Sequence, residues 1–225
     1  MPENSSIKNS KKFIPEEERT RPTLDLSRTV VKGIFVNRSR PWDAIPCLAN
    51  YVRGHGDELS YEEFDEISEN VWVHVSAYLA PTAKIEAPAI ICGGARISQH
   101  SYIEGSVIGS FATVGEMAAV KNSVLFDKSK LSGHNSVCSS VLGYESTLGI
   151  GCMIPDSRLD GMNITFDMPE GTYLSGRTRL GAIICDGVKV GAGCVINPGT
   201  VIDVGSKILP MHSVTGYVYP YTTVK

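Results

Sequence analysis

The chain is poor in aromatic residues: two tryptophans and six phenylalanines in 225 residues, with aromatics at 8% of the total. Its core must therefore be built from aliphatic side chains. No stretch approaches the roughly 18–20 consecutive apolar residues that cross a bilayer as a helix. The first 20 residues hold no apolar run of the kind a secretory signal needs. No membrane partner is expected, and a cytoplasmic location is. The glycosylation triplets that begin at Asn4, Asn37 and Asn163 are then without consequence. There is no excess of base: 21 Lys and Arg face 24 Asp and Glu, for a net charge of -3, which argues against a nucleic-acid partner. Cysteines occur at 47, 92, 138, 152, 185 and 194, with no C-x-x-C pair and no zinc-site spacing. They read as small buried apolar residues, and no metal is expected.

What the chain does have is a repeat. Val73, Leu79, Ile85, Ile91, Ile97 and Ile103 fall six residues apart, and so do Ile184, Val190, Ile196, Ile202, Ile208 and Val214. Between these runs the period persists with slips of phase through Ile108, Val114 and Val120, then Leu125, Leu131 and Val137, then Leu142, Leu148 and Ile154. Small residues follow four positions later, as at Ala77, Ala83, Ala89, Ala95 and Ser101. Neither the helical period of about 3.6 nor the strand period of about 2 yields six. A three-sided coil of about 18 residues does: each side sends one aliphatic inward, and a small residue lets the chain turn the corner. Stacked coils pair as parallel strands about 4.8 Å apart. The fold class is all-β, a parallel β-helix of hexapeptide repeats with roughly seven coils.

Residues 1–24 are expected to be a flexible tail, and 25–66 an N-terminal cap followed by an acidic linker. Apolar residues at Trp42, Ile45, Leu48, Ala49 and Val52 have helical spacing behind Pro41, so a short helix is expected to cap the open N-terminal end of the prism. The β-helix is expected over 67–218, interrupted by an inserted arm at 155–182, with a C-terminal tail at 219–225. An arm of that length suggests a contact, either with substrate or with a second subunit.

Of the five histidines, position alone singles out none. The segments Gly115-Glu116-Met117, Gly133-His134, Leu142-Gly143-Tyr144 and Leu148-Gly149-Ile150-Gly151 resemble the acetyltransferase half of the bifunctional glucosamine-1-phosphate acetyltransferase/uridylyltransferases. Arg179-Leu180-Gly181-Ala182-Ile183 and Val195-Ile196-Asn197-Pro198-Gly199-Thr200 resemble stand-alone hexapeptide-repeat proteins, related by label to UDP-N-acetylglucosamine pyrophosphorylases and acyltransferases. The resemblance implies a left-handed coil, a homotrimer with sites between neighbouring prisms, and acyl-CoA (acetyl-CoA) as co-substrate. It implies transfer to an amino sugar, sugar phosphate or nucleotide sugar. His134 would be the general base, and the Ile150 N–H the oxyanion donor. Glu116, Asn135, Thr147, Asp156 and Ala192 would meet substrate or coenzyme, with Arg177 and Arg179 on phosphates. The chain departs from that pattern at Val137, where the family has a tyrosine, at Ala118, where it has a lysine, at Thr147 and Asp156, where it has asparagines, and at Pro210. The alternative reading is a non-catalytic binding or scaffold β-helix derived from the same enzymes.

Overall fold

The computed structural model describes residues 19–20 and 23–225, apart from 37, 39 and 57. The inward aliphatics stack as expected. Ile91, Ile97 and Ile103 of one coil, Ile108, Val114 and Val120 of the next, and Ile184, Ile196 and Ile202 further on are all fully buried. Burial of each such side chain is worth roughly 1.5–3 kcal/mol. Three sheets of nine, eight and seven strands form the faces of the prism. Every pairing between coils is parallel, for example Val107↔Val124, Thr113↔Lys130 and Ala119↔Ser136. An antiparallel strand, Phe64–Ser68, extends the first face beyond the first coil strand Val71–His74. The coil is a left-handed parallel β-helix. It runs on past 218, because Thr223–Val224 pairs with Lys207–Ile208; the stretch expected to be a tail is a rung. The tail expected over 1–24 lies mostly outside the described residues, and at its end Leu24 is fully buried.

The slips of phase have a local cause. From Ile103 to Ile108, Val120 to Leu125 and Val137 to Leu142 the chain advances five residues instead of six, so the corner between third and first faces is one residue short. A column of buried serines makes up the difference. Ser106 Oγ accepts the Ser123 N–H (3.1 Å), Ser123 Oγ accepts the Ser140 N–H (3.0 Å), and Ser140 Oγ accepts the Ala182 N–H (3.1 Å). Each hydroxyl in turn donates to a carbonyl two residues back: Glu104, Lys121 and Cys138.

The first face is apolar on both sides. Its outward residues Ile90, Val107, Val124, Val141, Ile183 and Val201 are as buried as the inward ones. The residues before the aliphatics of the second face, such as Lys130 and Lys189, are exposed. What covers the first face is the N-terminal segment, laid along it against the direction of the coils. The Thr23 N–H donates to Asp203 and the Asp25 N–H to Asp186 near the C-terminal coils. The Arg28 carbonyl accepts the Asp127 N–H (3.0 Å) in mid-prism. Phe35 meets Phe126 edge-on at 5.6 Å. The helix α1, Leu48–Gly56, ends with Gly56 against the ring of outward-facing Trp72. The expected helix is present, but its seat is the flank of the first face, where the outward aliphatics need cover. It starts later than expected: Pro41–Asp43 and Ile45–Cys47 are tight 3₁₀ turns, since Pro46 has no N–H to continue a helix from Pro41.

The arm folds back on its own chain. Thr165–Met168 and Gly171–Leu174 form an antiparallel hairpin, and Phe166 stacks on Trp42 with ring centroids 4.0 Å apart and planes 6° from parallel. Four cysteines (92, 152, 185 and 194) are buried as expected; Cys47 is exposed and Cys138 half-buried, because both lie outside the stacked interior.

Two expectations follow. Ser123→Ala leaves the buried Ser140 N–H without an acceptor, and denaturant unfolding should show a loss of about 1–3 kcal/mol. Burial pushes the Asp186 carboxyl up to about 7, against the opposing pull of the Asp25 and Tyr144 N–H donors. The unfolded value is about 3.9, so between about pH 4 and pH 7 the folded chain holds the extra proton, and this group's contribution to stability falls as pH rises. Denaturant midpoints measured at about pH 5 and pH 8 should therefore differ less in Asp186→Asn than in the parent.

Candidate functional site

From the second coil onward, the chain turns from the second face to the third through one residue in the left-handed region. These residues are His100 (φ 56°), Met117 (56°), His134 (59°), Gly151 (69°), Gly193 (67°) and Met211 (64°). A non-glycine residue there costs roughly 1–2 kcal/mol, which the repeating ladder overcomes. The conformation of His134 is thus a property of the coil. The N–H of each left-handed residue donates to the rung below: His134 to Glu116 O (2.8 Å), Gly151 to Gly133 O (3.1 Å), Gly193 to Ile150 O (2.8 Å) and Met211 to Ala192 O (2.9 Å). Glu116, Gly133, Ile150 and Ala192 accordingly hold one equivalent corner position on successive rungs. Gly149 precedes that position because a Cβ there would stand 2.6 Å from the Ala192 nitrogen.

Four of the expected residues, Glu116, His134, Ile150 and Ala192, therefore share one edge of the prism. The backbone ladder leaves the N–H of Ile150 unpaired, and Pro210 takes the equivalent place on the last rung without costing the ladder a hydrogen bond. His134 and Glu116 are exposed. The His134 imidazole has no hydrogen-bond or ionic partner among the described residues. Met117, Ile150, Met153 and Met211 form an exposed apolar strip beside it, each half or more accessible to solvent.

The other expected residues lie elsewhere. Asn135 turns inward: its Nδ2 donates to Ser132 O (3.0 Å) and its Oδ1 accepts the Cys152 N–H (2.7 Å), so both ends of the amide serve the corner. Thr147 stands on the second face, where its hydroxyl accepts from Lys189 Nζ at 3.2 Å. Asp156 is 6% exposed and lies at the far edge of the third face. It accepts from Ser139 Oγ (2.9 Å) and from Arg179 Nε and Nη2 (3.2 and 3.0 Å). Arg177 and Arg179 line a pocket of about 260 Å³ there, between the arm, Asn122 and the turn at Ile45 and Pro46. His134 and Ser139 are five residues apart along one side of a coil, on opposite borders of the third face. At about 3.3 Å per residue, that is roughly 16 Å. Within one chain the expected site is therefore divided between two edges. Among the described residues no cluster of His, Cys, Asp and Glu suits a metal ion.

Five further residues went unpredicted. Phe111, Lys128, Lys130, Glu145 and Lys189 surround, together with the expected Thr147, an open pocket of about 500 Å³ at the edge between first and second faces. Only the register aligns Thr113, Lys130, Thr147 and Lys189 in one column. A spacing of 17 is the one sequence signal for Thr113, Lys130 and Thr147; Lys189, 42 residues beyond Thr147, is brought into the column by the register alone.

No family model matches the chain. It is 27% identical over 187 residues to the bifunctional sugar-1-phosphate nucleotidylyltransferase/acetyltransferase of Sulfurisphaera tokodaii, a match covering 80% of this chain and 46% of that protein. It is 26% identical over 179 residues to the bifunctional protein GlmU of Methanococcus vannielii, covering 78% and 42%. The matched region spans less than half the length of these relatives. Among solved structures, AntD, an N-acyltransferase from Bacillus cereus in complex with dTDP-4-amino-4,6-dideoxyglucose and coenzyme A, is 17% identical with a TM-score of 0.40, covering 75% of this chain and 82% of that one. By sequence, the chain is similar to part of the bifunctional sugar-1-phosphate nucleotidylyltransferase/acetyltransferases.

Proposed function

We propose that the protein transfers an acyl group, in the simplest case acetyl, from acyl-CoA to an amino sugar, sugar phosphate or nucleotide sugar. The observation that carries this reading is the placement of an exposed imidazole, His134, one rung from the unpaired N–H of Ile150, in a chain similar to sugar acetyltransferases. The imidazole takes the proton of the acceptor amine or hydroxyl as that atom attacks the thioester carbonyl. The Ile150 N–H donates to the oxyanion. As the tetrahedral intermediate collapses, the coenzyme thiolate leaves and regains the proton from His134. No metal enters this scheme.

A homotrimer fits the same features. The apolar strip at Met117, Ile150, Met153 and Met211 gives a neighbouring prism something to cover. A neighbour could supply the group that orients His134, and could bring the Asp156–Arg179 edge nearer to it. Glu116 and Ala192, on the same edge as His134, would then line the groove, with Thr147 beside it and Arg177 and Arg179 on phosphates. Asn135 holds the corner that carries His134 and acts as a positioning residue. The second reading, a non-catalytic binding or scaffold β-helix, is favoured by the lack of any side-chain partner for His134 among the described residues.

Incubation with acetyl-CoA and a panel of amino-sugar phosphates and nucleotide sugars should release free thiol only when an acceptor is present. His134→Ala should lower that rate by about 10²–10⁴-fold. Ligand binding without turnover across the panel would support the scaffold reading instead. Sedimentation should give about three times the chain mass of 24.3 kDa, and a monomer would remove the shared groove.

A further inference from the structure

The outward positions of the second face carry a column without an acid. Arg96, Thr113, Lys130, Thr147, Lys189 and Lys207 follow one another from rung to rung, about 4.8 Å apart. The chain as a whole has a net charge of -3, so four cations in line are a local concentration. Lys130 and Lys207 have no carboxylate partner among the described residues. Among the described residues, Lys189 Nζ donates only to neutral oxygens, Glu145 O at 2.7 Å and Thr147 Oγ1 at 3.2 Å. One acid, Glu145, borders the pocket, and it lies 3.6 Å from Lys128 at the edge. That leaves Lys130 and Lys189 with Thr147 between them. Phe111, on the same rim, is 65% exposed. Its ring lies over Gly94 of the rung below, where a Cβ would come within 2.6 Å of it, so one side of the ring rests on the backbone.

An exposed aromatic ring backed by the coil, beside paired unneutralised ammonium groups and a hydroxyl, is a match for a base followed by phosphates. We propose that this pocket binds a nucleoside diphosphate, with the base stacked on Phe111 and the phosphates held by Lys130, Lys189 and Thr147. Its volume of about 500 Å³ is that of a small-ligand site. Lys128, Lys130 and His134 belong to the same coil: the Lys128 rim of the pocket is about 20 Å from His134 across the second face, and the column of Lys130, Thr147 and Lys189 about 13 Å. An elongated ligand lying across the second face would connect the two. The binding itself does not depend on the proposed acyl transfer and is measured without turnover, so either can fail alone.

Isothermal titration of the full chain at low salt, with ADP, UDP and inorganic pyrophosphate, tests this. ADP and UDP should bind, with pyrophosphate about tenfold weaker. Lys130→Ala and Lys189→Ala should each weaken all three by about tenfold or more. Phe111→Ala should bring ADP and UDP down to the level of pyrophosphate. In a further titration with 3′-phospho-ADP, a preference for it over UDP would identify the ligand as the coenzyme end, and the reverse as a sugar nucleotide. No binding of either nucleotide at millimolar concentration, or binding unchanged in the Lys130→Ala/Lys189→Ala double variant, would overturn the proposal. Pyrophosphate binding as tight as ADP would remove the role of Phe111.

Discussion

Rung-to-rung parallel pairing over a stacked aliphatic interior is the constraint from which the remaining features follow. Ile91 above Val73 and Ile108 above Ile91 leave room for one branched side chain per face per coil, so the hydrogen-bond register and the hydrophobic period must agree. Where the chain is a residue short, a serine hydroxyl substitutes for the missing backbone group. The corner stays closed because Ser106, Ser123 and Ser140 each both accept and donate. A buried N–H without an acceptor would cost more than the shortened corner.

The same register explains why the three faces differ. The first is apolar outward as well as inward and needs a cover, which the N-terminal segment and the arm supply through Phe35, Trp42, α1 and Phe166. Burial on both faces is the usual condition of parallel strands covered by further elements. The segment is pinned by its backbone N–H groups to Asp186 and Asp203, carboxylates that the coil keeps largely out of water. The second and third faces stay open, and it is at their shared edge that His134 is presented.

That presentation is simple. The corner fixes the backbone of His134 and frees the N–H of Ile150, while the imidazole itself is held by nothing among the described residues.

How much of this could be read from the chain alone is uneven. The coil was legible because each inward position in Ile91, Ile97 and Ile103 must be a branched aliphatic, and a steric demand repeated every six residues leaves a period. The phase slips were visible too, as lost beats at Ile108, Leu125 and Leu142, although their cause lay in side-chain hydrogen bonds between residues 17 apart. The cover on the first face left a weaker mark in doublets such as Val107-Ile108 and Val124-Leu125, which only the register separates into an inward and an outward set. The inward turn of Asn135, the placing of His134 and Arg179 at different edges, and the line of lysines on the second face were decided by the tertiary structure alone. Those relations run across rungs, between residues that one coil of chain separates in sequence and about 4.8 Å of hydrogen bonding joins in space.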